Sequence, residues 1–123
     1  MIYSIAAALG FAAVENLLYT ITFGIQIAPV RALVSSLAHG AFSALAGYHV
    51  GLARFDPKRP RGQLASGLVT AAFLHGLYNT LLMFRLVSPL GIIAFLVALY
   101  WLVFARFREA AALSPFRHRL GGE

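Results

Sequence analysis

Gly10-Phe11-Ala12-Ala13-Val14-Glu15-Asn16 decides how this chain is read. The run lies inside Ile2–Phe23, an apolar stretch long enough to cross a bilayer as a helix. It sets an ionisable carboxyl beside an amide in the middle of that stretch. A charged carboxyl near the bilayer centre costs roughly 2.5–3.5 kcal/mol on insertion scales, and such groups face a bundle interior or a cavity with a partner. Glu15 is therefore a candidate functional residue, and its partners should lie at its own depth.

Working outward, the composition is that of an integral membrane protein. Of 123 residues, 60% are hydrophobic and 11% charged, where soluble domains carry about 25% charged residues. The length suits one compact bundle and no second domain. The chain has no cysteine, which excludes disulfides, thiolate metal sites and a cysteine nucleophile. The net charge of +6 raises nucleic acid as a partner. The basic residues, however, lie in the connections and the tail, where they set orientation and touch anionic lipid. The reading is a lipid bilayer and no nucleic acid. No signal peptide is expected, since the first apolar run lacks a basic flank, is too long, and carries Glu15 and Asn16.

Length and apolarity predict an all-α, polytopic membrane protein with four transmembrane helices in one bundle, over 1–105. The spans are about 2–23, 32–52, 64–84 and 90–105. A turn with Pro29 joins the first two. A polar loop with the helix-breaking pairs Asp56-Pro57 and Arg59-Pro60 joins the second and third. Pro89 follows the last tight turn, and 106–123 form a basic tail. Arg54, Lys58, Arg59, Arg61, Arg106, Arg108, Arg117 and Arg119 fall on one side, against Arg31 and Arg85 on the other. That bias places both termini and the second loop on the cytoplasmic side. Arg31 and Arg85 are expected to snorkel to the outer surface.

Depth then supplies partners for Glu15. Glu15 lies eight residues before Phe23, His39 eight after Arg31, and His75 nine before Phe84. At 1.5 Å per residue all three are roughly 12–14 Å below the outer surface. Three ionisable side chains on three helices thus share one level. Asn79 lies four residues after His75, on the same face one turn outward, and Tyr19 stands in the same relation to Glu15. Gly40, Gly47, Gly51, Gly67 and Gly76 are expected to let helices approach. Phe95, Tyr100, Trp101 and Phe104 make the fourth helix a lipid-facing wall. His49, His118 and Tyr78 are assigned no role.

Glu15, His39 and His75 can hold a catalytic Zn²⁺ with one position open for water. The same groups can act without metal: a carboxylate and a histidine activate water while Asn79 steadies an oxyanion. Bis-histidine haem ligation by His39 and His75 is a weaker option, because Glu15 shares their depth. A structural hydrogen bond from a protonated Glu15 is the plain alternative.

The same residues carry a resemblance. Gly10-Phe11-Ala12-Ala13-Val14-Glu15-Asn16, with Tyr19, resembles the GFAxxEN motif of the PrsW family of intramembrane proteases. Arg31 followed by His39 resembles that family's next motif helix. His75-Gly76-Leu77-Tyr78-Asn79 resembles its HxxxN or HxxxD helix. More distantly, the pattern is similar to the FxxxH and HxxxN motifs of the CAAX-processing proteases. The resemblance implies a metallo- or glutamate-type peptidase of a prokaryotic cytoplasmic membrane that cuts a membrane-protein substrate, such as an anti-sigma factor, in or near the membrane. By motif position Glu15, His39, His75 and Asn79 would be the site residues, with Asn16 supporting them.

One family motif is missing. The family carries a Glu-Glu pair, EExxK, on an earlier helix, and this sequence has no Glu-Glu pair. The expectation is a C-terminal portion of a longer product or a degenerate member, hydrolysing peptides poorly or not at all. A rival class is the small proton-coupled cation and drug exporters, which use one glutamate in a first helix. That class needs Glu15 alone and leaves His39, His75 and Asn79 without a task. A third reading is a non-catalytic membrane subunit.

Overall fold

The computed structural model describes residues 1–55 and 60–112. It consists of four long helices: α1 (Ile2–Phe23), α2 (Ala28–Phe55), α3 (Pro60–Met83) and α4 (Pro89–Ala112), with a 3-10 turn at Ile25–Ile27. The all-helical expectation holds among the described residues. The loop residues Asp56, Pro57, Lys58 and Arg59 and the tail residues Arg117, His118 and Arg119 lie outside them.

The helix ends follow local chemistry. Proline in a first turn gives up an amide that has no helical partner anyway. Pro29 therefore enters α2 and Pro60 opens α3, and both helices begin ahead of the apolar spans read from the sequence. Ser88 caps α4, its Oγ accepting from the Gly91 amide at 3.2 Å, with Pro89 as the first helical residue. At the end of α3 the Leu86 amide reaches the Leu81 carbonyl at 3.1 Å and the Arg85 amide reaches that of Leu82 at 3.2 Å. This is a Schellman closure, and Arg85 holds the left-handed position at φ 51°. Threonines inside apolar helices satisfy their own hydroxyls: Thr20 donates to the Asn16 carbonyl at 2.7 Å and Thr80 to that of Gly76 at 2.8 Å.

α2 is the hub, with α1, α3 and α4 each packed against it. Its Ala38, Ala41, Phe42, Ala44 and Leu45 are buried with Tyr78 of α3 and Ile92, Leu96, Leu99 and Val103 of α4. The α4 residues recur at the four-and-three spacing of a helix seam. The expected wall on α4 is therefore divided. Trp101 and Phe104 face outward, whereas Phe95 stacks on Tyr78 at 6.3 Å and Tyr100 donates to the Leu37 carbonyl at 3.1 Å.

Small residues set two of the close approaches. A Cβ on Gly67 would stand 2.5 Å from the His49 Cβ, and one on Gly47 would stand 2.9 Å from the Met1 Cα. Gly51 and Gly76, read as approach points, face open space instead.

Large apolar residues cover the outside, among them Leu17, Leu18 and Ile21 on α1, Leu68, Val69 and Phe73 on α3, and Val97 and Trp101 on α4. A soluble monomer does not leave such faces in water. Among the described residues, α1 and α4 are long and apolar enough to cross a membrane.

Candidate active site

α1, α2 and α3 each send one ionisable side chain to a common point. Glu15 Oε2 lies 2.9 Å from His39 Nε2, and Glu15 Oε1 lies 3.9 Å from His75 Nε2. The ligand atoms of the three residues all fall within 4.8 Å of one another. The structure thus brings together the three residues that depth counting placed on one level. His39 is buried, and Glu15 and His75 are partly so.

Aromatic rings fix the imidazoles. The rings of His39 and His75 meet edge to face at 4.6 Å. Phe42, one turn along α2 from His39, stacks on His75 at 5.9 Å. Phe11, one turn before Glu15, lies 5.5 Å from the His39 ring and 6.4 Å from that of His75. Such contacts restrict rotation of the imidazoles.

Arg31 corrects the sequence reading. Instead of snorkelling outward, it turns inward and donates from Nη2 to Glu15 Oε2 at 3.2 Å. Its Cζ lies 3.5 Å over the Tyr19 ring, a cation–π placement that holds the guanidinium flat. Tyr19 was readable as a neighbour of Glu15 from its four-residue spacing. The signal for Arg31 was a guanidinium at the head of the helix that carries His39, on a side chain long enough to reach inward.

The amides divide. Asn16 donates from Nδ2 to Ser36 Oγ at 3.3 Å, tying α1 to α2 beside Glu15. Asn79 is half-buried one turn along α3 from His75. Among the described residues no hydrogen bond joins it to Glu15, His39 or His75.

Two imidazoles and a carboxylate are the donor set of a catalytic zinc. With metal–ligand bonds of about 2.0–2.2 Å, tetrahedral geometry spaces neighbouring ligands by roughly 3.3–3.6 Å. The 2.9 Å and 3.9 Å separations bracket that spacing. His75 Nε2 is, moreover, a buried nitrogen with no hydrogen-bond partner. The residues present therefore fit such an ion.

Fold and cluster together define a class: a helical membrane protein with a partly buried Glu–His–His cluster whose donors fit a metal ion. The chain belongs to the PrsW family, for the family described as PrsW family intramembrane metalloprotease matches residues 1–106. The chain is 34% identical over 110 residues to Protease PrsW of Geobacillus kaustophilus, covering 89% of this chain and 49% of that protein. It is 31% identical over 115 residues to Protease PrsW of Bacillus subtilis, covering 93% and 53%. The figure for Protease PrsW of Clostridioides difficile is 28% over 107 residues, covering 82% and 45%. The chain spans about half the length of the curated relatives it matches. No solved structure matches it. Family and apolar helices together make it a bacterial integral membrane protein.

Proposed function

We propose that this chain carries the water-activating centre of an intramembrane peptidase of the PrsW type, with Glu15, His39, His75 and Asn79 as its site residues. The observation that supports this most is the Glu15 carboxylate held between the Nε2 atoms of two histidines from two other helices. Zinc, when held by Glu15, His39 and His75, supplies a Lewis acid and an acidified water.

The chain's own groups do the rest. Arg31 and His39 pin Glu15 through Oε2, which leaves Oε1 turned toward His75. Phe11 and Phe42 hold the imidazoles in place. Asn79, one turn along α3, is the amide positioned to donate to the oxyanion formed when water adds to the peptide carbonyl. The C–N bond then breaks, and the proton lost by the water ends on the leaving amine.

The substrate of this reading is a membrane protein of anti-sigma-factor type. All four helices span the bilayer with both termini cytoplasmic, which eight basic residues on one side against two on the other support.

The test uses the full chain in liposomes with a peptide containing one membrane span, products being read by mass. With no Glu-Glu pair in the sequence, slow cleavage is expected, and Glu15→Gln and His75→Ala abolish it. A folded, zinc-loaded chain that leaves such peptides intact overturns the reading.

A further inference from the structure

We propose that Arg31 is the counterweight of the metal centre: it neutralises Glu15 when the centre is empty and weakens the hold on zinc when the centre is filled. This rests on the zinc reading of the same site.

The argument is one of charge. Glu15 accepts from Arg31 and His39 through the same oxygen, Oε2. A metal-ligating histidine is neutral, so the charges left at the centre, the carboxylate and the guanidinium, cancel. A divalent ion added to that group leaves it with a surplus of two positive charges in a poorly solvated place. Metal centres in low dielectric favour ligand charges that offset the ion, and a fixed cation at the ligand carboxylate opposes binding.

No other acidic group among the described residues relieves this. The chain has four acidic residues. Glu109 pairs with Arg106 at 2.9 Å, and Arg106 in turn lies over the ring of Tyr48, nine residues along α2 from His39. Asp56 and Glu123 lie outside the described residues.

The placement of Arg31 is also built rather than incidental. Its guanidinium is held between the Tyr19 ring at 3.5 Å and the Glu15 carboxylate at 3.2 Å, and its side chain is only 15% exposed. A cation so held cannot swing away cheaply when an ion arrives. Its field therefore enters the zinc affinity directly.

The experiment measures Zn²⁺ affinity of the full chain in detergent by chelator competition, with thermal midpoints recorded alongside. Arg31→Gln is expected to bind zinc at least tenfold more tightly than the parent. Without zinc its midpoint is expected to be lower than the parent's, because Glu15 has lost its partner. Arg31→Lys keeps the charge without the planar stack and is expected to bind zinc within about threefold of the parent. A merely structural fork would make Lys behave like Gln and would not raise affinity in either.

Equal or weaker zinc binding by Arg31→Gln, with the parent binding zinc through Glu15, overturns the counterweight and leaves the zinc reading intact. Zinc bound by neither protein overturns both. Zinc bound by Arg31→Gln and not by the parent, and lost again on adding Glu15→Gln, supports the counterweight in its strongest form.

Discussion

His39 Nε2 stands 2.9 Å from Glu15 Oε2, although 24 positions and a helix reversal separate the two residues. His39 is only 4% exposed, so this bond is made where water competes poorly. His39→Ala should remove a ring, one hydrogen bond to a charged group and one metal donor together. The expected cost is about 2–4 kcal/mol of stability, with zinc retention lost. Thermal unfolding in detergent and metal content after gel filtration check both.

Chelation provides a complementary test. If the centre works with zinc, an excess of a strong chelator abolishes peptide cleavage in liposomes, and added Zn²⁺ restores it. Cleavage that survives chelation but disappears in Glu15→Gln assigns the chemistry to the side chains alone.

Gly67 and Gly76 should respond in opposite ways to alanine. At Gly67 the new Cβ would meet His49 Cβ at 2.5 Å and the Ala46 carbonyl oxygen at 3.3 Å. α2 and α3 must then part, at a cost of about 1–3 kcal/mol. At Gly76 the space is open, and alanine gains up to about 1 kcal/mol of helix propensity. Parallel unfolding curves of the two variants decide this.

Arg85 pays for its φ of 51° in a position that glycine fills more easily. Arg85→Gly should stabilise the end of α3 by about 1 kcal/mol, the cost of a left-handed conformation for a residue with a side chain. A higher thermal midpoint with unchanged zinc binding is the expected result.

Tyr100→Phe removes the hydroxyl that reaches the Leu37 carbonyl at 3.1 Å. The loss should be about 0.5–1.5 kcal/mol and should loosen α4 from α2 without touching the centre. Faster amide exchange along α4, with cleavage preserved, would show it.

Much of this architecture was legible in the sequence. α1 begins and ends where its apolar run does, because nothing in Ile2–Phe23 competes with the helix. Glu15, His39 and His75 converge as depth counting indicated, because helical rise converts residue number into height with little ambiguity. Azimuth was harder to read. Phe95 and Tyr100 turn inward while Trp101 turns outward, a distinction set by which face of α4 meets α2. Arg31 was misread for a related reason. Its height is near the surface, but its reach is several ångströms, and the Tyr19 ring that directs it belongs to another helix. Asn79 shares the right face, yet whether its amide serves a substrate depends on a group that the sequence alone does not bring.

α1 and α3 are both seated on α2, and the centre draws one ligand from each of the three. The middle helix therefore works like the key bar of a lock. A turn of one residue would carry His39 about 100° away from both Glu15 and His75, and the seam of Ala38, Ala41, Phe42 and Leu45 holds α2 against it. The bonds from Asn16 to Ser36 and from Tyr100 to Leu37 lock it from two sides, so the ligand set keeps its register only as long as that seam stays closed.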